Sequence, residues 1–362
     1  MPKFEKKKIN LALQGGGAHG AFSWGVLDRL LEDDRFEIAA VTGASAGAMN
    51  AVALADGLCS CCPEEARTTL RRFWEGVCEA ARASPLKRTP FDAFFGGWSL
   101  DHSPAYLWMD MLSRVASPYE LNPLNINPLR DLVKDLIDFE RVRKSGLKLF
   151  LSATNVETGR TKVFSNDVVG VDHVMASACL PFMFQAVEID GAPYWDGGYM
   201  GNPPLWPLFD HSPADDVVII QINPLTRPGK PDTAREIQNR LNEITFNASL
   251  LRELRAVDFV TRLLEEGRLE GTGYRRVFVH MIEDEKTLSA LGASSKLNAE
   301  RAFIDMLFMK GRAAAERWIG AHYDAVGERS SIDIRMLFQG EEDALDGYRI
   351  NRVAEFSRMR RA

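Results

Sequence analysis

Short apolar runs alternate with longer stretches of helical periodicity along most of the chain. Five apolar runs have the length of buried strands and lie at 9–14, 38–41, 147–154, 217–222 and 277–282. The intervening stretches with apolar residues at helical spacing are 21–32, 46–58, 64–83, 128–139, 171–179, 235–268 and 299–326. Buried strands that alternate with helices form parallel sheets covered on both faces. We therefore expect an α/β fold with a mainly parallel central sheet.

Two segments depart from this alternation. Residues 182–195 predict a β-hairpin that turns at Asp190-Gly191. Residues 85–127, the centre of an insertion over about 56–146, carry seven aromatic side chains among many Pro, Gly, Ser and Asn residues. Long loops within compact domains are often lids or binding surfaces. We expect this segment to be a lid or an apolar substrate surface, or the satellite core of a small helical subdomain, and both can hold at once.

The remaining chain shows no linker and no internal repeat, so we expect residues 1–362 to form a single domain. An edge strand is predicted at 162–164. The elbow helix described below is expected to end near Asp56-Gly57, and the tail 330–362 to form short helical segments.

The stretch Gly43-Ala44-Ser45-Ala46-Gly47 joins a predicted strand to a predicted helix. A strand, a tight turn with a serine at its apex and a helix make up a nucleophile elbow. The turn exposes the hydroxyl, and the helix aims backbone N–H groups at the reaction centre. The pattern alone is weak, since small residues cluster in many turns. Its position between strand and helix makes Ser45 the candidate nucleophile.

A glycine-rich loop, residues 15–20, follows the first predicted strand and precedes a helix. It fits either a dinucleotide site, with pyrophosphate on the helix N-terminus, or a cluster of N–H groups that forms an oxyanion hole. A dinucleotide site requires an acidic residue at the end of the second strand. That strand ends in the elbow instead, and Asp34 and Glu37 precede it. The sequence favours the oxyanion hole.

The base that would activate Ser45 is not a well-placed histidine. Of six histidines, only His211 and His280 lie in plausible late positions. Asp196, in Asp196-Gly197-Gly198, is the better candidate, because the glycines let its carboxylate approach other backbone closely. A carboxylate can accept the serine proton if a dry pocket raises its pKa. The alternative is a turn aspartate that satisfies backbone N–H groups.

The composition of the chain limits the classes of binding partner that are expected. The chain has 362 residues, a net charge of −6 and a pI near 5.7, which does not suggest a nucleic-acid partner. The basic clusters Lys6–Lys8 and Arg358–Arg361 are expected to be solvated. No apolar run is long enough for a signal peptide or a spanning helix, and we expect a cytoplasmic protein.

The cysteines also favour the cytoplasm as the compartment of this protein. They are odd in number, three of them crowded together: Cys59, Cys61, Cys62, Cys78 and Cys179. This arrangement fits a reducing environment better than a disulfide framework. A zinc site at the crowded three lacks a second set of ligands at the usual spacing, so no metal is expected.

Four motifs, in this order and spacing, resemble those of patatin-like phospholipases over about residues 9–225. They are Gly15-Gly16-Gly17-Ala18-His19-Gly20, Gly43-Ala44-Ser45-Ala46-Gly47, Ala176-Ser177-Ala178-Cys179-Leu180-Pro181 and Asp196-Gly197-Gly198. The resemblance implies a three-layer α/β/α sandwich that hydrolyses acyl esters through an acyl-enzyme, with no metal or cofactor.

The same resemblance implies roles for single residues. Ser45 would be the nucleophile and Asp196 the general base of a Ser–Asp dyad. The N–H groups of the oxyanion hole would come from Gly15, Gly16, Gly17 and Ala46. Residues that support the motifs would be Gly20, Gly43, Gly47, Pro181, Gly197 and Gly198.

The resemblance says less about the substrate and the partners than about the reaction. The resemblance implies lipid esters such as phospholipids, with an intracellular polyhydroxybutyrate depolymerase and a hydrolase of small esters as alternatives. Peripheral contact with a membrane or a storage granule would suit the aromatic insertion. A non-catalytic scaffold and a dinucleotide-binding protein are alternatives of another class. Residues 226–362 lie outside the matched motifs and are expected to complete or extend the domain, and the oligomeric state is open.

Overall fold

The computed structural model describes residues 6–95 and 97–340. Strands form at the five apolar runs, and most residues of these strands are buried. The strands are β1 (Lys7–Leu13), β2 (Phe36–Gly43), β3 (Lys148–Asn155), β4 (Thr161–Ser165), β5 (Val187–Ile189), β6 (Ala192–Asp196), β7 (Asp216–Ile220) and β8 (Phe278–Ile282).

These strands form one sheet in the order β5-β6-β3-β2-β1-β7-β8, with β4 also paired to β3. The five strands from β3 to β8 in this order run parallel. The pairs β3–β4, β3–β6 and β5–β6 are antiparallel. The mainly parallel sheet is confirmed. Its parallel strands bring the ends of β1 and β2, with the loops that follow them, to one edge.

The helices cover both faces of the sheet. They are α1 (Gly20–Glu32), α2 (Ala46–Ser60), α3 (Pro63–Arg82), α4 (Pro90–Phe94), α5 (Pro104–Leu112), α6 (Pro118–Leu121), α7 (Pro128–Leu136), α8 (Phe139–Arg143), α9 (Val171–Ser177), α10 (Trp206–His211), α11 (Ala234–Glu265), α12 (Glu285–Leu288), α13 (Arg301–His322) and α14 (Ile334–Gln339). Short 3-10 helices span Gly17–His19, Gly197–Tyr199, Ala293–Leu297 and Tyr323–Ala325.

Helices pack against both faces of the sheet through two hydrophobic cores, which gives three layers. The larger core packs α1, α2, α3 and α13 on one face of the sheet, around Phe22, Leu54 and Phe303. The smaller core packs α10, α11 and α14 on the other face, around Leu205 and Leu254. The predicted α/β/α arrangement is therefore confirmed. Because α11 and α13 belong to these layers, the chain beyond residue 225 helps to cover the sheet.

The hairpin at Asp190-Gly191 forms as expected, with φ of 53° and 78° at the two turn residues. The predicted end of α2 at Asp56-Gly57 is wrong, because the helix continues to Ser60. Tertiary contacts explain the difference. Asp56 is paired with Arg141 at 2.7 Å, and a side chain at Gly57 would overlap with the backbone of Ala66 in α3.

The centre of the insertion, residues 85–127, contains the short helices α4, α5 and α6. Three of its phenylalanines, Phe91, Phe94 and Phe95, form a cluster whose ring centroids are 4.6 and 5.3 Å apart. Their side chains are 67%, 84% and 69% exposed. These rings do not form a satellite core and leave a large apolar surface in contact with solvent. Of the tail, residues 341–362, including the basic cluster Arg358–Arg361, lie outside the described residues.

Candidate active site

Ser45 lies at the apex of the turn between β2 and α2. Its backbone has φ 54° and ψ −123°, a conformation that residues with a Cβ rarely adopt. Strain of this kind costs roughly 1–3 kcal/mol and persists where the surrounding structure imposes it. The residue is 8% exposed. The geometry is that of a nucleophile elbow.

The loop after β1 packs directly against Ser45. A Cβ on Gly15 would lie 2.7 Å from the Ser45 Cβ and 2.8 Å from the Ala44 carbonyl oxygen, so only glycine fits there. The other motif glycines are also at close contacts. A Cβ would lie no farther than 2.7 Å from a neighbouring atom at Gly20, Gly43, Gly47, Gly197 and Gly198. The structure thus brings the glycine loop and the elbow together.

Asp196 ends β6 and is fully buried. Its Oδ1 accepts a hydrogen bond from the Gly198 N–H at 2.7 Å. Its carbonyl oxygen accepts from the Thr154 hydroxyl at 2.8 Å. Within the described part of the chain, its Oδ2 has no hydrogen-bond partner. A buried carboxylate oxygen without a partner is costly and is free to accept a proton.

Burial raises the pKa of Asp196 to about 6, while the Ser45 hydroxyl, the Gly198 N–H and the charge of Lys296 keep that pKa from rising further. The Ser45 hydroxyl thus acts on the pKa of the Asp196 carboxyl group, although no hydrogen bond to Oδ2 forms among the described residues. Catalytic hydrogen bonds often align only when substrate is bound.

One short segment holds both residues. The Ser45 N–H donates to the hydroxyl and the carbonyl oxygen of Ser177, at 3.0 and 3.1 Å. The Asp196 N–H donates to the Cys179 carbonyl oxygen at 2.8 Å. Burial raises the pKa of the Cys179 thiol to about 12, so it stays protonated. The third motif therefore bridges the two residues through Ser177 and Cys179, and Pro181 follows that bridge.

The predicted oxyanion donors are not equivalent. The Gly15 N–H donates to Asn202 Oδ1 at 2.6 Å, so it is already occupied. By contrast, no residue in 6–95 or 97–340 accepts a hydrogen bond from the N–H groups of Gly16, Gly17 or Ala46. These three remain able to donate to a ligand. Gly15 has instead a positioning contact that the sequence did not suggest.

The family model of patatin-like phospholipases matches residues 11–209, which is 199 of the 362 residues. The chain belongs to the patatin-like phospholipase family. This family assignment is consistent with hydrolysis of lipid acyl esters. No curated protein matches the sequence.

Two solved structures are distantly similar to this patatin-like chain. VipD from Legionella pneumophila is 15% identical, with a TM-score of 0.37, and the match covers 88% of this chain and 67% of that one. Full-length SpcU in complex with full-length ExoU, from the type III secretion system of Pseudomonas aeruginosa, gives 15% identity and a TM-score of 0.34. The second match covers 88% of this chain and 54% of that one.

The histidines do not replace Asp196. His280 pairs with Asp216 at 2.9 Å, and His211 stacks against Phe150. Burial and the charge of Lys296 lower the pKa of His19 to about 3, so this histidine is neutral. Its Nε2 lies 2.8 Å from the Ser295 hydroxyl. Neither Ser45 nor Asp196 makes a hydrogen bond to any histidine in the part of the chain that the structure describes.

The patatin-like site also includes residues that the sequence did not single out. Asn202 holds the Gly15 N–H, and Asn223 Nδ2 donates to the Gly15 carbonyl oxygen at 2.8 Å. Lys296, which lies beyond the residues that match the family, donates to Asn223, and its carbonyl group packs against Gly17. One signal was available. Asn223 follows β7, and the carboxyl ends of parallel strands are where α/β proteins bind ligands.

A cavity of about 750 Å³ is lined by Trp195, the residue before Asp196, but by neither Asp196 nor Ser45. It lies between the insertion and the antiparallel edge of the sheet, and its lining includes Val115, Tyr119, Pro181, Trp195 and Tyr199. The lining is mostly apolar, as expected of a site for a hydrocarbon chain. A second cavity of about 740 Å³, between α10 and α11, contains none of the predicted site residues.

Among residues 6–95 and 97–340, no helix is both long and apolar enough to cross a membrane.

Proposed function

We propose that this protein cleaves acyl esters of lipids through an acyl-enzyme on Ser45, with Asp196 as general base. The observation that carries the proposal is a strained, buried serine whose hydroxyl lowers the pKa of a fully buried carboxyl group, one oxygen of which has no hydrogen-bond partner among the described residues. A single segment, Ser177–Cys179, holds both backbones.

In the first half-reaction, Ser45 Oγ attacks the carbonyl carbon of the ester and its proton passes to Asp196 Oδ2. The tetrahedral oxyanion accepts hydrogen bonds from the N–H groups of Gly16, Gly17 and Ala46. The bond from carbon to the leaving oxygen then breaks, and Asp196 returns the proton to that oxygen. An alcohol leaves, and the acyl group stays on Ser45.

In the second half-reaction, water attacks the acyl-enzyme and gives a proton to Asp196. The bond to Ser45 Oγ breaks, the carboxylic acid leaves, and Ser45 recovers the proton. Burial supports this cycle, because a base with a pKa of about 6 accepts a proton more readily than an ordinary aspartate.

The apolar cavity and the exposed phenylalanine cluster favour a lipid substrate. The cavity of about 750 Å³ is large enough for an acyl chain. Residues 85–127 contain three basic and four acidic side chains, so contact with a surface would be apolar more than electrostatic. An amorphous polyester granule offers a similar apolar surface, and the substrate panel below separates the two substrates.

The test is a substrate panel combined with an active-site probe. A fluorophosphonate should label the wild type, and the protein should hydrolyse phospholipid vesicles and p-nitrophenyl esters. Ser45→Ala should lose both labelling and hydrolysis. Ser23→Ala is the matched control, since this buried hydroxyl has no hydrogen-bond partner among the described residues. Hydrolysis by Ser45→Ala at the wild-type rate would contradict the proposal. If the protein cleaved polyhydroxybutyrate and no lipid ester, its substrate would be the storage polyester.

The phenylalanine cluster should serve contact with a lipid surface. Replacing both Phe94 and Phe95 by Ser should weaken binding to neutral phosphatidylcholine vesicles by about tenfold or more, given 1.5–3 kcal/mol for each fully buried ring. Vesicle sedimentation measures binding, and hydrolysis of p-nitrophenyl butyrate should stay near wild type. Phe259→Ser is the control, because Phe259 is exposed on α11 outside the insertion. Equal binding of vesicles by the double variant and the wild type would mean that the phenylalanine cluster does not contact the lipid surface.

A further inference from the structure

Lys296 brings a positive charge to the active site from the C-terminal part of the chain. It lies in the 3-10 helix Ala293–Leu297, beyond the residues that match the family. Its Nζ donates to Asn223 Oδ1 at 2.8 Å and to Asn242 Oδ1 at 2.6 Å. It also lies 4.8 Å from the centroid of the Phe246 ring. Three contacts therefore fix this ammonium group.

Through Asn223 the ammonium reaches the oxyanion loop. Because Asn223 Oδ1 accepts from Lys296, its Nδ2 faces the other way and donates to the Gly15 carbonyl oxygen at 2.8 Å. The backbone of Lys296 touches the loop as well, since a Cβ on Gly17 would overlap with the Lys296 carbonyl oxygen. The side chain and the backbone of Lys296 thus support two successive parts of one loop.

The charges around Lys296 leave its ammonium available to the site. The groups that face it are Asp196 from β6, His19 from the glycine loop and Glu243 from α11. His19 is neutral. Glu243 already pairs with Arg227 at 2.5 Å and with Arg240 at 3.2 Å. Burial lowers the pKa of Lys296 to about 8, while Glu243 and Asp196 oppose this fall.

We propose that Lys296 is a positioning residue of the acyl-transfer site, which fixes Asn223 and the oxyanion loop and adds positive charge where the tetrahedral oxyanion forms. The inference rests on the proposed function, because it requires acyl transfer at Ser45. A preorganised charge in a buried site stabilises developing negative charge more strongly than it would in water.

The charge of Lys296 should make kcat/KM depend on pH. Lys296 acts as an ammonium, so kcat/KM should fall as pH rises through about 8. Asp196 acts as a carboxylate, so activity should rise with pH through about 6. Arginine keeps its charge up to about pH 12. Lys296→Arg should therefore keep much of the activity and lose the alkaline decline.

The experiment compares Lys296→Met and Lys296→Arg with wild type on phospholipid vesicles and on p-nitrophenyl butyrate. Lys296→Met should lose about 10²-fold in kcat on both substrates, the effect expected when a distant change displaces the reacting geometry by about 1 Å, with KM little changed. Lys162→Met is the control, since Lys162 also lies over an aromatic ring, that of Phe164, but outside the site. Thermal unfolding verifies that each variant is folded.

The outcomes separate the two proposals. If the wild type shows no activity that depends on Ser45, the proposed function fails. If the wild type is active and Lys296→Met keeps its kcat, only the inference on Lys296 fails. A loss confined to the phospholipid would overturn it too, because Lys296 would then bind the phosphate of the headgroup. An alkaline decline that is unchanged in Lys296→Arg would also contradict it.

Discussion

Asp196→Asn should lose ester hydrolysis by about 10²–10⁴-fold, the usual contribution of a general base, and yet make the protein more stable at pH 7.5. Asparagine cannot accept the Ser45 proton, but its amide oxygen can still accept from the Gly198 N–H. Burial raises the pKa of Asp196 from 3.8 to about 6, so the ionised group costs the folded state up to about 3 kcal/mol. The variant removes this cost.

The sign of the pH dependence makes the prediction specific. Folded wild type holds a proton on Asp196 up to about pH 6, whereas the unfolded chain releases it near 3.8. The penalty is therefore complete above pH 6, declines as pH falls, and is absent below about 3.8. Thermal unfolding midpoints measured at several pH values should show the largest gain for Asp196→Asn above pH 6.

The control for this variant is Asp135→Asn, which neutralises an exposed carboxylate on α7. Its unfolding midpoint should stay close to wild type at every pH. Two results would contradict the argument. One is hydrolysis by Asp196→Asn near the wild-type rate, which would remove Asp196 as the base. The other is a lower unfolding midpoint than wild type at pH 7.5, which would mean that the carboxylate stabilises the fold.

Local sequence was sufficient for the parts of this fold that depend on local structure. The turn at Asp190-Gly191 places two residues that tolerate positive φ between short strands, and the hairpin forms there. The elbow around Ser45 and the buried strands were predictable for the same reason, since their patterns span few residues. The position of Asp196 at the end of β6 follows from the hairpin.

Tertiary contacts decided what local sequence could not. α2 continues through Gly57 because Ala66 of α3 packs against it. Asn202 occupies the Gly15 N–H, although 187 positions separate the two residues. Lys296 meets Asn223 across 73 positions. No motif marks these polar residues, so their role becomes visible only when the loops are placed at one edge of the sheet.

Gly17→Ala should lose about 10²–10³-fold in kcat, as expected for a displaced oxyanion-hole donor. Two costs act at this position. Gly17 has φ of 58°, where a residue with a Cβ is disfavoured by about 1–2 kcal/mol. In addition, a Cβ would overlap with the carbonyl oxygen of Lys296, and both atoms belong to backbone segments that cannot rotate away as a flexible side chain would. The loop must move, and its N–H groups move with it.

Gly271→Ala is the matched control that separates these two costs. Gly271 has φ of 72°, and a Cβ there would have no atom of residues 6–95 or 97–340 within 4 Å, its own chain neighbours aside. Both variants share the backbone cost, so only Gly17→Ala should lose activity beyond a small change in stability. Kinetics on p-nitrophenyl butyrate, with unfolding midpoints for both, gives the comparison. If the two variants have equal kcat, the contact between Gly17 and Lys296 does not set the oxyanion loop, and the C-terminal part of the chain covers the sheet without shaping the site.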